Sequence, residues 1–392
     1  MAGGYGATCG DLGYPTIEEW ARATNYHAEH VGSLLRPPEL LEAREAHAQG
    51  SVTDERLREL EARAALAAIE IQRQAGLDVF TDGEVRRATW MAGLLESIGG
   101  VVPVPLPLAK WHRDGKEPQA EETAFEWMAA ADKVFQKSAR TGAEAAFLAQ
   151  HAPGQFKITM VSSSMGPLLW NPDVSATAYP APAELVRDLV ALQIKEIEGL
   201  LDQGVTWIQL DSLGYDQVID KDIREGLGQT GLTPEGILDS TVSVDAEVVS
   251  AVKRKYPDVT VGLHLCRGNN RSAWAAQGSY EPVAERLFGE LDVDRFLLEY
   301  DTERAGGFEP LRFVPRGKTV VLGLISSKVP RLESQDELRR RIEEAARYVP
   351  IEHLAISPQC GFASTARGNL LTVDDERRKL ELVVDTADKV WG

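Results

Sequence analysis

The sequence predicts an α/β protein folded as a single (β/α)₈ TIM barrel, and three observations lead to this fold class. Short apolar runs typical of buried strands alternate with helical apolar spacing along the chain. Eight such strand patterns occur, and a length of 392 residues suits one barrel with an insertion. A doubly wound sheet is the alternative, but no Gly-x-Gly-x-x-Gly turn follows an early strand. The predicted strands open at His30, Leu77, Phe156, Trp207, Val259, Arg295, Thr319 and His353.

The domain boundaries follow from this alternation. Residues 1–26 are predicted to form an amino-terminal extension, and residues 27–392 the barrel domain. A connection at about 99–153 separates the second and third strands and is far longer than a minimal βα loop. It is predicted to contain a helical tract from about Glu121 to Gln150 and to form an arm. The arm either packs over the barrel mouth or makes a subunit contact, so a homo-oligomer is left open. The other main helices are predicted over 39–49, 54–74, 182–202, 244–255, 280–291, 335–348 and 376–390.

Composition excludes several classes of partner. The formal net charge of −18 leaves no basic surplus to neutralise phosphates, so nucleic acid is not an expected partner. No apolar run reaches the roughly 18 residues of a membrane span, and the first residues lack the pattern of a signal peptide. Three cysteines, Cys9, Cys266 and Cys360, cannot all pair with one another. We therefore expect a cytoplasmic protein with small-molecule partners and at least two functional or buried thiols. The sequence assigns no role to Cys9.

One predicted strand carries a pair of metal-binding residue types. In the strand that opens at Val259, side chains alternate between two faces, so His264 and Cys266 project together near its carboxyl end. Such a pair can supply two ligands to one metal ion. The alternative is a packed cysteine beside a hydrogen-bonded histidine.

Two further residues enlarge this set. Glu299 ends the sixth strand and Cys360 follows the eighth, so both should lie at the same end of a barrel as the first pair. One nitrogen, one carboxylate and two sulfurs form a ligand set suited to Zn²⁺. A buried carboxylate needs a cationic partner, and Arg267 or Arg304 is the alternative to a metal ion for Glu299.

Several segments carry a family resemblance. They are HVGS at 30–33, GLDVFTDGE at 76–84, the 166–170 segment, IQLD at 208–211, and the four residues of the candidate metal site. On these motifs the sequence resembles the catalytic barrel of the cobalamin-independent methionine synthases, and more closely the short single-barrel members of that family. The resemblance runs from about His27 to the carboxyl end.

The resemblance implies transfer of a methyl group to the thiol of homocysteine, with Zn²⁺ as cofactor. A free thiol is mostly protonated at neutral pH, and coordination to Zn²⁺ converts it to the nucleophilic thiolate. The resemblance assigns Glu84 and Asp211 as catalytic residues that hold the ammonium group of the substrate. It assigns Ser33 to the substrate carboxylate, and Trp170 to a position where the family stacks a pterin ring.

Simpler local roles remain open for three of these residues. Glu84 could pair with Arg86 or Arg87, Asp211 could cap the following turn, and Trp170 could be a core residue.

The sequence also departs from the family pattern. Full-length members carry an additional amino-terminal barrel, for which this chain has no room. The family histidine after strand seven, credited with proton delivery to the leaving group, has no counterpart in Ser326-Ser327-Lys328, and Asp211 is not followed by the family's Glu-Pro. These departures leave the methyl donor open.

Other functions are also compatible with the sequence. The first is an epoxyalkane:coenzyme M transferase or another zinc-thiolate alkyl transferase. In such an enzyme Arg36, Arg267 or Lys328 would hold a sulfonate. A non-catalytic barrel stabilised by zinc, and a metal-free decarboxylase on a related barrel, are further alternatives.

Overall fold

The computed structural model describes residues 26–105, 109–113, 116–121, 127–227 and 232–392. Nearly all of the predicted extension at 1–26, including Cys9, therefore lies outside the described residues. Within the described residues, no helix combines the length and the apolar character that a membrane span requires.

The strands are numbered in chain order over the described residues. They are β1 (Val79–Phe80), β2 (Ile98–Val104), β3 (Ala109–Arg113), β4 (Lys116–Glu121), β5 (Trp127–Gln136), β6 (Gln155–Phe156), β7 (Ile158–Val161), β8 (Trp207–Asp211), β9 (Thr260–Leu265), β10 (Arg295–Glu299), β11 (Thr319–Ile325) and β12 (Leu354–Pro358).

The α-helices are numbered in the same way. They are α1 (Pro38–Ala48), α2 (Asp54–Ala75), α3 (Ala92–Leu95), α4 (Arg140–His151), α5 (Pro172–Ser175), α6 (Pro182–Leu201), α7 (Asp216–Ile219), α8 (Lys221–Leu227), α9 (Pro234–Lys255), α10 (Glu281–Glu290), α11 (Gln335–Ala345) and α12 (Val373–Trp391).

The central sheet is parallel and its strands follow the chain. Six strands pair in the order β12-β11-β10-β9-β8-β7, so neighbours in the sheet are consecutive central strands in the sequence. In a doubly wound sheet the order of the strands reverses at a switch point, and the order of these six strands shows no such reversal. Beside them, β1 pairs in parallel with β6, which continues into β7 after Lys157. Because the strands are parallel, their carboxyl ends open to the same side.

The first predicted strand is shorter than expected. The pattern predicts a strand that opens at His30, but only Ala28 forms a parallel bridge, with Ile356 of β12. Side-chain hydrogen bonds connect the following residues to the segment of β1. His30 Nε2 lies 3.2 Å from the carbonyl oxygen of Val79, and Thr81 Oγ1 donates to the carbonyl oxygen of Gly32 at 2.8 Å. Backbone hydrogen bonds join this segment to β12, from the Glu29 amide to the carbonyl oxygen of Ile356 and from the Ile356 amide to that of His27.

The described residues of the insertion form mainly two antiparallel strand pairs, one nested within the other in the sequence. Strand β2 pairs antiparallel with β5, and β3 with β4, and the helix α4 begins only at Arg140. The predicted helical tract from about Glu121 to Gln150 is therefore wrong over β5. The alanines of β5 favour a helix locally, but its backbone pairs with β2 and its Ala129 and Ala130 are buried. Tertiary pairing here overrides local propensity.

Local signals set the ends of the main helices. Thr53 Oγ1 accepts a hydrogen bond from the Arg56 amide at the start of α2, and Gly76 ends it in the left-handed conformation, with φ of 87°. At the start of α12, Thr372 and Asp375 form a capping box. These caps matter for the site, because α2 leads into β1 and α12 packs against β12.

Candidate active site

A cavity of about 250 Å³ brings together most of the sequence-predicted site residues. They come from segments far apart in the chain and meet at the carboxyl ends of the parallel strands. This is the end at which α/β barrels place their chemistry. The predicted residues that line the cavity are Ser33, Glu84, Asp211, His264, Cys266 and Cys360.

Three of these residues form a compact metal-ligating group. A ligand atom of each of His264, Cys266 and Cys360 lies within 4.8 Å of the other two, and all three residues are buried. The alternation of β9 places the first two on one face, and Cys360 follows the end of β12 by two residues. One imidazole and two thiols at this separation can converge on one ion.

The ring of His264 is oriented for such a role. Its Nδ1 lies 3.2 Å from the carbonyl oxygen of Leu297, whereas its Nε2 is buried without a hydrogen-bond partner. Because the carbonyl oxygen can only accept, the proton belongs on Nδ1, which leaves the lone pair of Nε2 free. Metal-binding histidines usually have this arrangement.

The two sulfurs influence each other. The hydrogen bond from the Cys266 thiol, reinforced by His264, lowers the pKa of Cys360 well below its ordinary value despite burial. The same hydrogen bond between the two side chains, together with burial, raises the pKa of Cys266 well above its ordinary value. The arrangement therefore already favours one thiolate, and thiolate is the form in which cysteine binds metal.

Glu299 lies outside this group of three. Its Oε1 accepts a hydrogen bond from Arg304 Nη2 at 2.6 Å, and its Oε2 accepts one from the amide of Arg267 at 3.0 Å. Burial opposes its charge, but Arg304, Lys328 and Arg267 together lower the pKa of Glu299. The partner left open by the sequence is thus Arg304, which forms a buried ion pair with the carboxylate.

Glu84 reaches the cavity from an unusual backbone conformation. Its φ is 53°, in the left-handed region that non-glycine residues rarely adopt. Its Oε1 accepts a hydrogen bond from Thr159 Oγ1 at 2.9 Å, and its Oε2 lies 3.7 Å from Arg87 Nη1. A Cβ added to Gly32 would lie 2.7 Å from Oε1, so the carboxylate packs directly on this glycine. The neighbouring Arg86 pairs with a different carboxylate.

Asp211 lies at the end of β8, opposite His264 in the sheet register. Its Oδ1 accepts a hydrogen bond from Gln209 Nε2 at 2.9 Å. Burial raises the pKa of Asp211 to about 7, and the nearby His264 opposes this shift. The carboxyl group can therefore exist in both protonation states near neutral pH.

Of the other two predicted substrate residues, Ser33 lines the cavity and Trp170 does not. A Cβ added to Gly361 would lie 2.0 Å from Ser33 Oγ, so only glycine fits at that position. Trp170 is not part of the cavity wall. Its Nε1 donates to the carbonyl oxygen of Tyr179 at 2.8 Å, and its ring packs against a core cluster beside the insertion.

The structure adds residues that sequence reasoning missed. Three tryptophans, Trp90, Trp111 and Trp127, line the cavity together with Asp216 and Asn270. Burial raises the pKa of Asp216 well above its ordinary value, and Asn270 Oδ1 is buried without a hydrogen-bond partner. No periodic pattern marks these residues, since two of the tryptophans belong to the irregular insertion.

The insertion lies against the loop that follows β9. The backbone amide of His112 donates to the carbonyl oxygen of Trp274 at 2.8 Å, and the amide of Trp274 donates back at 3.1 Å. Their rings stack with centroids 6.0 Å apart. The arm thus contacts the segment that carries Cys266 and contributes Trp111 and Trp127 to the cavity wall.

Comparison with known proteins finds one matching family and relatives that align with most of this chain. The family described as the catalytic domain of cobalamin-independent synthase matches residues 178–389. The uncharacterized protein YxjH of Bacillus subtilis (strain 168) is 37% identical over 377 residues, which cover 95% of this chain and 97% of that protein. The methionine synthase of Pyrococcus abyssi is 25% identical over 334 residues, which cover 85% of each chain.

A solved structure extends the likeness to the fold. It is a Listeria monocytogenes protein described as a vitamin-B12 independent methionine synthase, and it is 29% identical to this chain with a TM-score of 0.70. The match covers 94% of this chain and 98% of the Listeria chain.

Proposed function

Because the chain belongs to the cobalamin-independent methionine synthase family, we propose that it is a zinc-dependent methyltransferase that converts homocysteine to methionine. The observation that carries this proposal is the group of His264, Cys266 and Cys360 in the wall of a cavity that also contains Glu84 and Asp211. A metal-ligating group beside two carboxylates suits a substrate that has both a thiol and an ammonium group.

The architecture proposed for residues 27–392 is one closed barrel with an insertion at 99–153. The bridge of Ala28 with Ile356 supports closure on one side, and the contact of His30 with the carbonyl oxygen of Val79 supports it on the other. The eight predicted strand segments would then form one continuous ring.

The proposed metal ligands are His264, Cys266 and Cys360, with Glu299 as the fourth. The free Nε2 of His264 and the lowered pKa of Cys360 fit a zinc site. When bound, Zn²⁺ keeps the acceptor sulfur in its thiolate form. To bind the metal, the carboxylate of Glu299 would have to give up its contact with Arg304, with which it now forms an ion pair.

The protein groups around the acceptor have distinct proposed roles. Glu84, fixed by Thr159 and Arg87, and Asp211, fixed by Gln209, would accept hydrogen bonds from the substrate ammonium group. Ser33 would donate its hydroxyl to the substrate carboxylate. An ammonium group in a pocket that excludes water needs such acidic partners.

The charge of the cavity wall favours homocysteine over coenzyme M. Among the described residues that line the cavity there is no lysine or arginine, whereas the carboxylates of Glu84 and Asp211 are present. A sulfonate would need cations, and Arg36, Arg267 and Lys328 are occupied elsewhere, chiefly by backbone carbonyl groups. The alternative epoxyalkane:coenzyme M transferase therefore has less support.

Thiol binding tests the proposal directly. Homocysteine, cysteine and coenzyme M are titrated into zinc-loaded wild-type protein and into the Glu84→Gln and Asp211→Asn variants. Each substitution should weaken homocysteine binding by about 2–5 kcal/mol, because it leaves a desolvated ammonium group without a charged partner. Glu285→Gln, on the exposed face of α10, is the matched control and should bind homocysteine like the wild type. Tight binding of coenzyme M without a response to homocysteine would reject the proposal in favour of the alternative.

A further inference from the structure

We infer that the methyl donor is a methyl onium ion, a sulfonium or a quaternary ammonium, whose positive charge is held against Trp90, Trp111 and Trp127. This inference rests on the proposed methyltransferase function and names the chemical class of its second substrate. Two features of the cavity carry it: the three aromatic rings and the sign of the charged groups.

The three rings reach one cavity from three separate segments. Trp90 follows β1, and its amide donates to the carbonyl oxygen of Ser364 at 2.9 Å, which ties it to the loop that carries Cys360. Trp111 comes from β3 and Trp127 from β5 of the insertion. All three are half-buried, so part of each indole remains accessible.

Trp111 lies close to the proposed metal site. A Cβ added to Gly268, two residues after Cys266, would lie 3.1 Å from Trp111 Cζ3. The ring therefore covers the backbone immediately beyond the metal-ligating cysteine. A methyl group carried by a cation against this ring would be near the acceptor sulfur. Indole is the side chain that binds such cations best through its π face.

The charges around the cavity also favour a cation. Glu84 and Asp211 line it, and the described lining residues include no lysine or arginine. The nearby Lys328 donates instead to the carbonyl oxygen of Gly268 and to the side chain of Asn269. A low-dielectric pocket lined with one sign of charge concentrates ligands of the opposite sign and disfavours polyanionic donors.

An onium donor also fits the chemistry of the leaving group. The thiolate lone pair forms the new S–C bond as the bond from the methyl carbon to the donor heteroatom breaks. The bonding electrons remain on that heteroatom, which leaves as a neutral thioether or tertiary amine and needs no proton. Ser326, Ser327 and Lys328, at the position of the family histidine, do not line the cavity. The proton of the acceptor thiol goes to water, so each turnover with a sulfonium donor releases one proton. A tertiary amine product takes that proton up again at neutral pH, so a quaternary ammonium donor gives no net release.

The first test measures charge recognition by calorimetry. Zinc-loaded protein is titrated with choline, a quaternary ammonium probe, and with 3,3-dimethylbutanol, its neutral isostere. We expect choline to bind at least tenfold more tightly. Trp111→Leu and Trp127→Leu should each weaken choline binding by about 3- to 30-fold, with an intermediate loss for Trp111→Phe. Trp391→Leu, whose ring stacks on His27 outside the cavity, should not change the affinity. Retained zinc content shows that each variant is folded, and equal affinities for choline and its isostere would overturn the inference.

The second test identifies the donor from the compound that yields methionine and from the proton released with it. In weakly buffered solution, homocysteine is supplied with dimethylsulfonioacetate, glycine betaine or 5-methyltetrahydrofolate, and methionine and pH are followed together. A sulfonium donor should give one proton per methionine. A quaternary ammonium donor should give methionine without net proton release, because its tertiary amine product is protonated at neutral pH. Methionine formed only from the folate, and from neither onium compound, would overturn the inference. Homocysteine binding that depends on Glu84 would then still support the proposed function, whereas loss of that binding would reject the function itself.

Discussion

Glu376 gives a quantitative test of how burial controls the stability of the site's scaffold. Its side chain is fully buried on α12, where Oε2 accepts a hydrogen bond from the Leu35 amide at 2.8 Å and Oε1 has no partner. Burial raises the pKa of Glu376 to about 8 from 4.5. Leu35 is two residues from Ser33, so this carboxyl group supports a segment that lines the cavity.

The sign of the effect follows from proton linkage. The folded pKa is raised, so the native state retains a proton that the unfolded state loses above about 4.5. The resulting stability is fully present below 4.5 and is lost as the pH rises through about 8. At about 1.4 kcal/mol per pH unit, the whole interval corresponds to about 5 kcal/mol. About 3 kcal/mol of this should be lost between pH 6 and pH 9.

Urea unfolding at pH 6 and pH 9 measures this loss. Glu376→Gln is neutral at both pH values and keeps an acceptor for the Leu35 amide. Its free energy of unfolding should therefore not show the fall of about 3 kcal/mol that the wild type shows between pH 6 and pH 9. Glu352→Gln, at an exposed position, is the control and should follow the wild type. Parallel curves for wild type and Glu376→Gln would refute the reasoning, because they would show that this carboxyl group does not stay protonated in the folded protein.

Four further substitutions test the site. Cys266→Ser and Cys360→Ser should each remove most bound zinc, as measured by metal analysis, and full methyl transfer by zinc-free protein would contradict the metal assignment. Glu299→Gln should weaken zinc binding at least tenfold if the carboxylate is a ligand, whereas unchanged zinc affinity with lower stability would assign it to the ion pair with Arg304 alone. Arg87→Met should destabilise the fold by about 3–5 kcal/mol, because it leaves Glu144 buried without its partner. It should also weaken homocysteine binding through Glu84, and unchanged binding in folded variant protein would contradict that role.

Much of the scaffold was predictable because it depends on local patterns. The strands Arg295–Glu299 and Thr319–Ile325 have the predicted bounds, and the helix predicted at 54–74 occupies Asp54–Ala75. In each case the apolar spacing, the cap or the stop lies within a few residues of the element it defines. The insertion was predicted less well, because the strand Trp127–Gln136 pairs with a segment about thirty residues away. Its own composition favours a helix.

In the candidate site, too, some features depend on local sequence and others on contacts between distant segments. The sequence by itself determined that histidine, cysteine and carboxylate side chains stand at the ends of parallel strands, since alternation and strand direction depend only on local order. Only the tertiary structure decided that Arg304 forms an ion pair with Glu299. It also decided that Trp170 packs away from the cavity, whereas Trp111 and Trp127 line the cavity wall. These outcomes depend on loop and hairpin conformations that bring distant segments together. No short-range pattern in the sequence encodes such contacts.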